Sequence, residues 1–470
     1  MAHVWLMNQK IKFLTLTAAL FSLAGAFAGA EPGPIAPKPP LGWNSFDSYG
    51  VYLHEKAAME NLEAMAKHLE PYGYEYFVID NGWFGEYKLK PGTIYPLEKH
   101  ASDVRLNEHG HVIPSKTYFA GGLAPIINRC HELGLKFGIH MMRGIPRKAY
   151  DMNVPIKGTS YKARDIADID PKKNCTWCTY NYGVDMSKPG AQEWYDGLIQ
   201  HLADMGVDLI KYDDIVPYPA EVEAVAKAIK KTGKPILLSL SPGNDAPVEA
   251  IKSFQMAQML RVTQDVWDHA NYIDDCFDAW KKWTGKESEN FWIDMDMIPF
   301  GQLLMMSPKK EMQGEGDEAA VRLAGHGYRR WQQYSQDQMF TFITLRALSA
   351  SPLMVGGDLP TMDGFSLRLL TDPDMLACNQ NGVMGKLVSA VDGIEVWKTP
   401  EKGDRNKGWV GVFNRSNRLK TVKLTPKFLD LEGNATLHDI WKGRKEHPLG
   451  PSSAIEIDIQ ADGVLFLRYE

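Results

Sequence analysis

Eight times between residues 41 and 356 a short apolar run closes on polar or glycine residues and gives way to a helix-like stretch. The runs are Leu41 to Ser45, Tyr76 to Asp80, Phe137 to Met141, Leu209 to Asp213, Ile236 to Leu240, Leu260 to Gln264, Phe291 to Asp294 and Pro352 to Gly356. Between them lie amphipathic stretches such as 219–234, with Pro219 near its start, acids early, lysines late and Gly233 as a stop. Strand alternating with helix eight times predicts an α/β fold, a parallel (β/α)8 TIM barrel. From about residue 385 the pattern becomes alternating and helix-poor, in runs at 394–399, 408–414, 420–424, 454–458 and 463–470. These predict a C-terminal antiparallel β-sandwich.

The domain order read from the chain is a signal peptide (1–30), a proline-rich linker (31–40), the barrel (41–384) and the sandwich (385–470). Lys10 and Lys12 precede an apolar stretch from Phe13 to Phe27, and Ala28-Gly29-Ala30 offers small residues for cleavage. The expected location is therefore periplasmic or secreted. No later stretch has the apolar length of a membrane span. A formal net charge of -6 without a basic cluster argues against nucleic acid or anionic membrane as partners. It leaves the oligomeric state open. The five cysteines are an odd number, and only Cys175 and Cys178 are close, which suggests a local disulfide. Asn174, Asn414 and Asn434 each begin an Asn-x-Ser/Thr triplet.

In such barrels the site forms at the C-terminal ends of the strands. There the sequence places Trp43 and Asp47, then Asp80-Asn81-Gly82-Trp83, Met141-Met142-Arg143, and Lys211 with Asp213 and Asp214. Arg261 and Asp265, Asp294 and Asp296, and Asp358 follow. Many carboxylates, few histidines and several aromatics suggest sugar chemistry. Cleaving a glycosidic bond needs two carboxyl groups, and strands four and six put Asp213 and Asp265 on opposite sides of one pocket. Lys211 shares a strand face with Asp213 and can hold it ionised; Arg261 shares one with Asp265. Singly, each has a plainer reading: a solvated strand end, an ion pair, or a helix cap in the case of Asp268. Asp294, Asp296 and Asp358 read as supporting hydrogen bonders. A ring of charge on successive strand ends has no structural purpose in a barrel, and this favours a site. A divalent-cation lyase or isomerase is disfavoured because Lys211 and Arg261 would repel the ion. A non-catalytic sugar-binding protein ranks last. Arg143 and Trp177 suggest an outer subsite, and Trp397, Trp409 and Trp441 suggest core or interdomain packing rather than a carbohydrate-binding platform.

These residues resemble glycoside hydrolase family 27, the melibiase-type α-galactosidases. The resemblance rests on Pro40 to Ser45, Asp80 to Trp83, Leu133 to Gly138, Lys211-Tyr-Asp213, Arg261 to Asp265, Asp294 to Met297, Gln338 to Phe342 and Ser351 to Leu359. It implies that Asp213 is the nucleophile and Asp265 the general acid and base, with anomeric configuration retained. It also implies that Trp43, Asp80, Asn81, Lys211 and Arg261 surround a terminal sugar and that no metal or organic cofactor takes part. The implied activity is exo-acting α-galactosidase, with β-L-arabinopyranosidase as the alternative. Asn81 stands where the galactosidases carry a second aspartate near O4 and O6. Ser239-Leu-Ser-Pro-Gly243 replaces their Cys-Glu-Trp-like element, and Met141 to Arg147 is unlike typical members.

Overall fold

In the computed structural model, residues 33–307 and 327–470 are described. The expected signal peptide (1–30), residues 31 and 32 of the linker, and residues 308–326 lie outside them. Ile35–Glu470 forms one compact unit. Eight strands appear where the apolar runs stand: β1 Leu41–Asn44, β2 Tyr76–Ile79, β3 Lys136–Met142, β4 Leu209–Asp213, β5 Leu237–Leu240, β6 Met259–Arg261, β7 Trp292–Asp294 and β8 Leu353–Val355. All pairings are parallel, and each strand from β1 to β6 lies beside its successor, with β8 returning to β1. A parallel bridge between Ile298 and Val355 joins the β7 and β8 edges, so the sheet closes into a barrel.

Helices follow the strands and present apolar faces to the sheet. The helix Pro219–Thr232 begins at its proline, carries Glu221 in its first turn and Lys230 and Lys231 in its last, and stops at Gly233 in a left-handed conformation. This agrees with its capping signals. Inside the lower barrel, Val78, Leu209, Leu237, Met259 and Met354 form one apolar cluster, which Ala36 joins. Trp292 donates its indole N–H to the Ala36 carbonyl, 2.9 Å away.

Beyond the barrel, β9 Lys386–Val391, β10 Ile394–Glu401, β11 Asp404–Asn414, β12 Lys420–Leu424, β13 Ala435–Asp439, β14 Lys445–Leu449, β15 Ile455–Ile459 and β16 Val464–Tyr469 are antiparallel. Six form a sheet in the order β9-β10-β11-β16-β13-β14, and β12 pairs with β15. Val422, Leu424 and Ile459 of the pair share one core with Val396, Val410, Val412, Leu437 and Leu467 of the sheet. Three strands, β9, β13 and β14, are absent from the sequence reading. Both sheet edges are among them, where a strand tolerates solvent-facing charge, and β14 even contains Pro448.

The sandwich packs on the barrel through aromatics. Trp397 is fully buried and stacks on Trp280 with centroids 3.7 Å apart. Trp441 donates to Thr344 Oγ1 at 2.8 Å and lies against Phe340 and Phe466. Asn414 is buried with its amide donating to the carbonyls of Arg418, Ile459 and Gln460. It is therefore no acceptor for glycans in the folded chain. Cys175 and Cys178 are both free thiols, correcting the expected disulfide, and the Cys178 N–H donates to Cys175 Sγ.

Candidate active site

Parallel pairing sets neighbouring strand ends level. His140 of β3 is in register with Lys211, and Ser239 of β5 lies on its other side. Two residues further on, Asp213 faces inward between β3 and the Ser241 that follows β5. Its carboxylate is 88 % covered, as its side chain is 12 % exposed. Three donors hold it: His140 Nε2 at 3.1 Å from Oδ2, and Ser241 Oγ at 2.9 Å and the Asp214 N–H at 3.1 Å from Oδ1. Burial alone raises a carboxyl pKa, but here the His140 hydrogen bond and the charges of Lys211 and Arg261 outweigh it. Asp213 is held well below the ordinary carboxylate range and is an anion at neutral pH.

Lys211 reaches a different carboxylate from the one expected. Its ammonium lies 2.8 Å from Asp80 Oδ2, which also accepts from Asn44 Nδ2 at 2.8 Å. Burial opposes the ionised form of Asp80, yet Lys211 brings its pKa below the usual value. Lys211 therefore acts on Asp213 through space, while His140 and Ser241 make the contacts. Asn81 follows, and its side-chain oxygen is buried without a hydrogen-bond partner among the described residues. The turn that projects it depends on Gly82, whose φ is 101° and where a Cβ would lie 2.1 Å from the Val51 carbonyl oxygen.

Across the cleft, Arg261 Nη1 lies 2.8 Å from Asp265 Oδ1 and 3.3 Å from Asp296 Oδ1. Asp296 also accepts from the Val266 N–H at 2.7 Å, which fixes the loop carrying Asp265. The Asp265 side chain is 50 % exposed, in contrast to the covered Asp213. One carboxyl is thus locked as an anion and the other reaches solvent beside Arg261, so the cleft holds the pair of carboxyl groups that glycoside hydrolysis needs.

Other expected residues are placed differently. Trp43 has no exposed surface; it stacks on Phe77 and donates to the Gly357 carbonyl at 2.8 Å, so it contributes no open wall to the cleft. Arg143 is 3 % exposed and is consumed by Asp214 and Glu221, which removes it from an outer subsite; Trp177 is 51 % exposed and free of that objection. Asp268 binds Arg330 and the Gln333 N–H instead of capping a helix. Asp358 accepts from Tyr49, Asn61 and Thr361, a supporting role as expected. His140 and Asn44 were missed. Period-two alternation puts His140 on the same strand face as Met142, but spacing does not say that this face meets Asp213 of β4.

Asp294 accepts from the Asp296 N–H at 2.9 Å, and burial and then the Asp296 charge push its pKa up to about 6. The folded chain keeps this proton over a pH range in which the unfolded chain has lost it, so stability falls as pH rises from about 4 to about 6. Asp294→Asn is expected to gain on wild type by about 2 kcal/mol across that window. Urea unfolding at a series of pH values checks this, and parallel curves for the two proteins would refute it.

A closed parallel barrel with one ionised and one solvent-reaching carboxyl at its strand ends defines the class: a glycosidase. No family model matches the chain. The GH27 β-L-arabinopyranosidase of Geobacillus stearothermophilus, in a variant complexed with arabinose, is similar at 34% identity and TM-score 0.82, over 93% of this chain and 98% of that one. The unaltered enzyme gives 34% and 0.81 over 93% and 97%. The alpha-galactosidase of Cyamopsis tetragonoloba is 24% identical over 442 residues, 92% of this chain and 86% of the relative. Alpha-galactosidase A of Cellvibrio japonicus is 23% identical over 461 residues, 92% of each. The chain belongs to glycoside hydrolase family 27.

Proposed function

We propose that this chain is an exo-acting retaining glycosidase for terminal sugars of the galacto type, working by double displacement. Asp213 attacks the anomeric carbon while Asp265 protonates the departing oxygen, and Asp265 then takes a proton from the water that releases the sugar. The observation that carries this reading is the three-donor grip on Asp213. A nucleophile must be ionised before substrate arrives, and these donors with the nearby cations ensure that. Lys211, Asp80, Asn81 and Arg261 are the groups proposed to meet sugar hydroxyls. No step is routed through a metal or an organic cofactor. Export to the periplasm or medium is part of the proposal, supported by the pattern at residues 10–30.

Terminal α-D-galactose is the first reading, supported by the names of the curated relatives. Terminal β-L-arabinopyranose is the second, favoured by Asn81 and by the 34% identity to an arabinopyranosidase. That sugar is galactose without its C6 arm, and an amide can donate where a carboxylate only accepts. Matched aryl glycosides of both sugars, assayed with and without chelator, decide between them through kcat/KM. Asn81→Asp is expected to raise the galactoside-to-arabinopyranoside ratio by about tenfold or more, in line with discrimination by one small substituent. An unchanged ratio would remove Asn81 from the sugar-selecting role.

A further inference from the structure

The two oxygens of Asp213 are not equivalent. Oδ1 accepts from both Ser241 Oγ and the Asp214 N–H, whereas among the described residues Oδ2 accepts from His140 Nε2 alone. A carboxylate oxygen has two in-plane lone pairs. Oδ1 uses both, and Oδ2 keeps one. His140 is 1 % exposed and its backbone carbonyl is held by the Trp83 indole N–H at 2.9 Å, so the ring sits in a fixed position. Its Nδ1 is buried and has no partner among the described residues, so the ring makes one hydrogen bond, the bond to Asp213. Because a carboxylate only accepts, Nε2 carries the proton in that bond.

We infer that Oδ2 is the attacking oxygen and that His140 is a positioning residue acting on the second half of the reaction. The inference rests on Asp213 being the nucleophile. In the first step an Oδ2 lone pair forms the bond to C1, the C1–O bond to the aglycone breaks, and the Asp265 proton goes to the departing oxygen. In the second step water oxygen bonds to C1, its proton goes to Asp265, and the C1–Oδ2 pair returns to Oδ2. Oδ2 carries most charge in the free enzyme, part of it in both transition states, and least in the glycosyl ester. The His140 hydrogen bond follows that charge. It stabilises the free anion more than the first transition state, and the second transition state more than the ester. His140 therefore works against glycosylation, if anything, and accelerates release of the sugar.

The test uses the full chain with a dinitrophenyl glycoside of the preferred sugar, whose good leaving group makes the first step fast. His140→Phe removes the donor and His140→Gln supplies an amide N–H at similar reach. His140→Phe is expected to slow steady-state kcat by about ten- to a hundredfold, the worth of one charge-assisted hydrogen bond. KM should fall with it, a pre-steady-state burst should appear, and mass spectrometry should find the sugar on Asp213. His140→Gln should recover most of the rate. Equal loss in both half-reactions, or a fall in kcat with no burst, would overturn the inference. His140→Leu is the replacement if His140→Phe does not fold. A fluorinated activated glycoside on wild type separates the two readings: label on another residue refutes Asp213 as the nucleophile, whereas label on Asp213 with unchanged release in His140→Phe refutes only the role of His140.

Discussion

Asp213→Asn is expected to lower kcat/KM on the preferred aryl glycoside by roughly 10⁴-fold, the scale seen when a member of a covalent catalytic unit is removed. The replacement keeps shape and removes charge. Its amide can still accept from Ser241 and the Asp214 N–H, the two donors on Oδ1 in the native chain, so the strand end should stay in place. The nucleophilic oxygen is lost, and with it the acceptor for His140, whose ring proton must move to Nδ1 for Nε2 to accept from the new amide. Far-UV circular dichroism should therefore match wild type while activity disappears, and unfolding should come at a somewhat lower temperature because the charge favoured by His140, Lys211 and Arg261 is gone. Asp265→Asn should differ in kind: substrates whose leaving group needs no proton should lose far less rate than those with poor leaving groups. Turnover by Asp213→Asn equal to wild type would sink the assignment of the nucleophile, and a uniform loss across leaving groups would sink that of Asp265.

Much of this site was legible because two periodicities bear on it. Strand alternation puts Lys211 and Asp213 on one face, and the order of strands around a barrel puts β4 and β6 across one cleft. What sequence spacing does not carry is which of several charges on one rim will pair. Lys211 is two residues from Asp213 and 131 from Asp80, yet the salt bridge goes to Asp80, because β2 and β4 flank β3 and their inward-facing ends converge. His140 was hidden for a different reason: an isolated histidine inside an apolar strand most often reads as core. Its meaning comes from register with β4, a tertiary fact. Asp268 illustrates the same limit. Its position just before the helix Ala270–Trp283 suggests a cap, but Arg330, 62 residues away, takes both of its oxygens.

Arg143→Met is expected to cost about 3–5 kcal/mol of stability, since it leaves the buried Glu221 and the partly covered Asp214 without their cation. The guanidinium donates through Nε to both the Asp214 carbonyl and Asp214 Oδ2 at 3.0 Å, and through Nη1 to Glu221 Oε1 at 2.8 Å. Its third arm reaches the Lys173 carbonyl, and its plane lies 3.5 Å from the centre of the Tyr218 ring. Glu221 is already pushed up in pKa by burial even with Arg143 beside it, so without the cation it should take a proton and leave Tyr195 as its remaining side-chain partner. Activity should fall too, because Asp214 sits at a positive φ of 60° immediately after the nucleophile and Arg143 is what holds it there. The double variant Arg143→Met with Glu221→Leu separates charge from packing. If the penalty is an orphaned charge, the second change should restore part of the urea midpoint while activity stays low, because Asp214 is still unheld. A single variant within about 1 kcal/mol of wild type would show that the ion cluster is neutral in stability. A double variant no better than the single would place the loss in the Tyr218 stack and the Lys173 contact, and the barrel would then owe the geometry of its strand-four end to packing more than to charge.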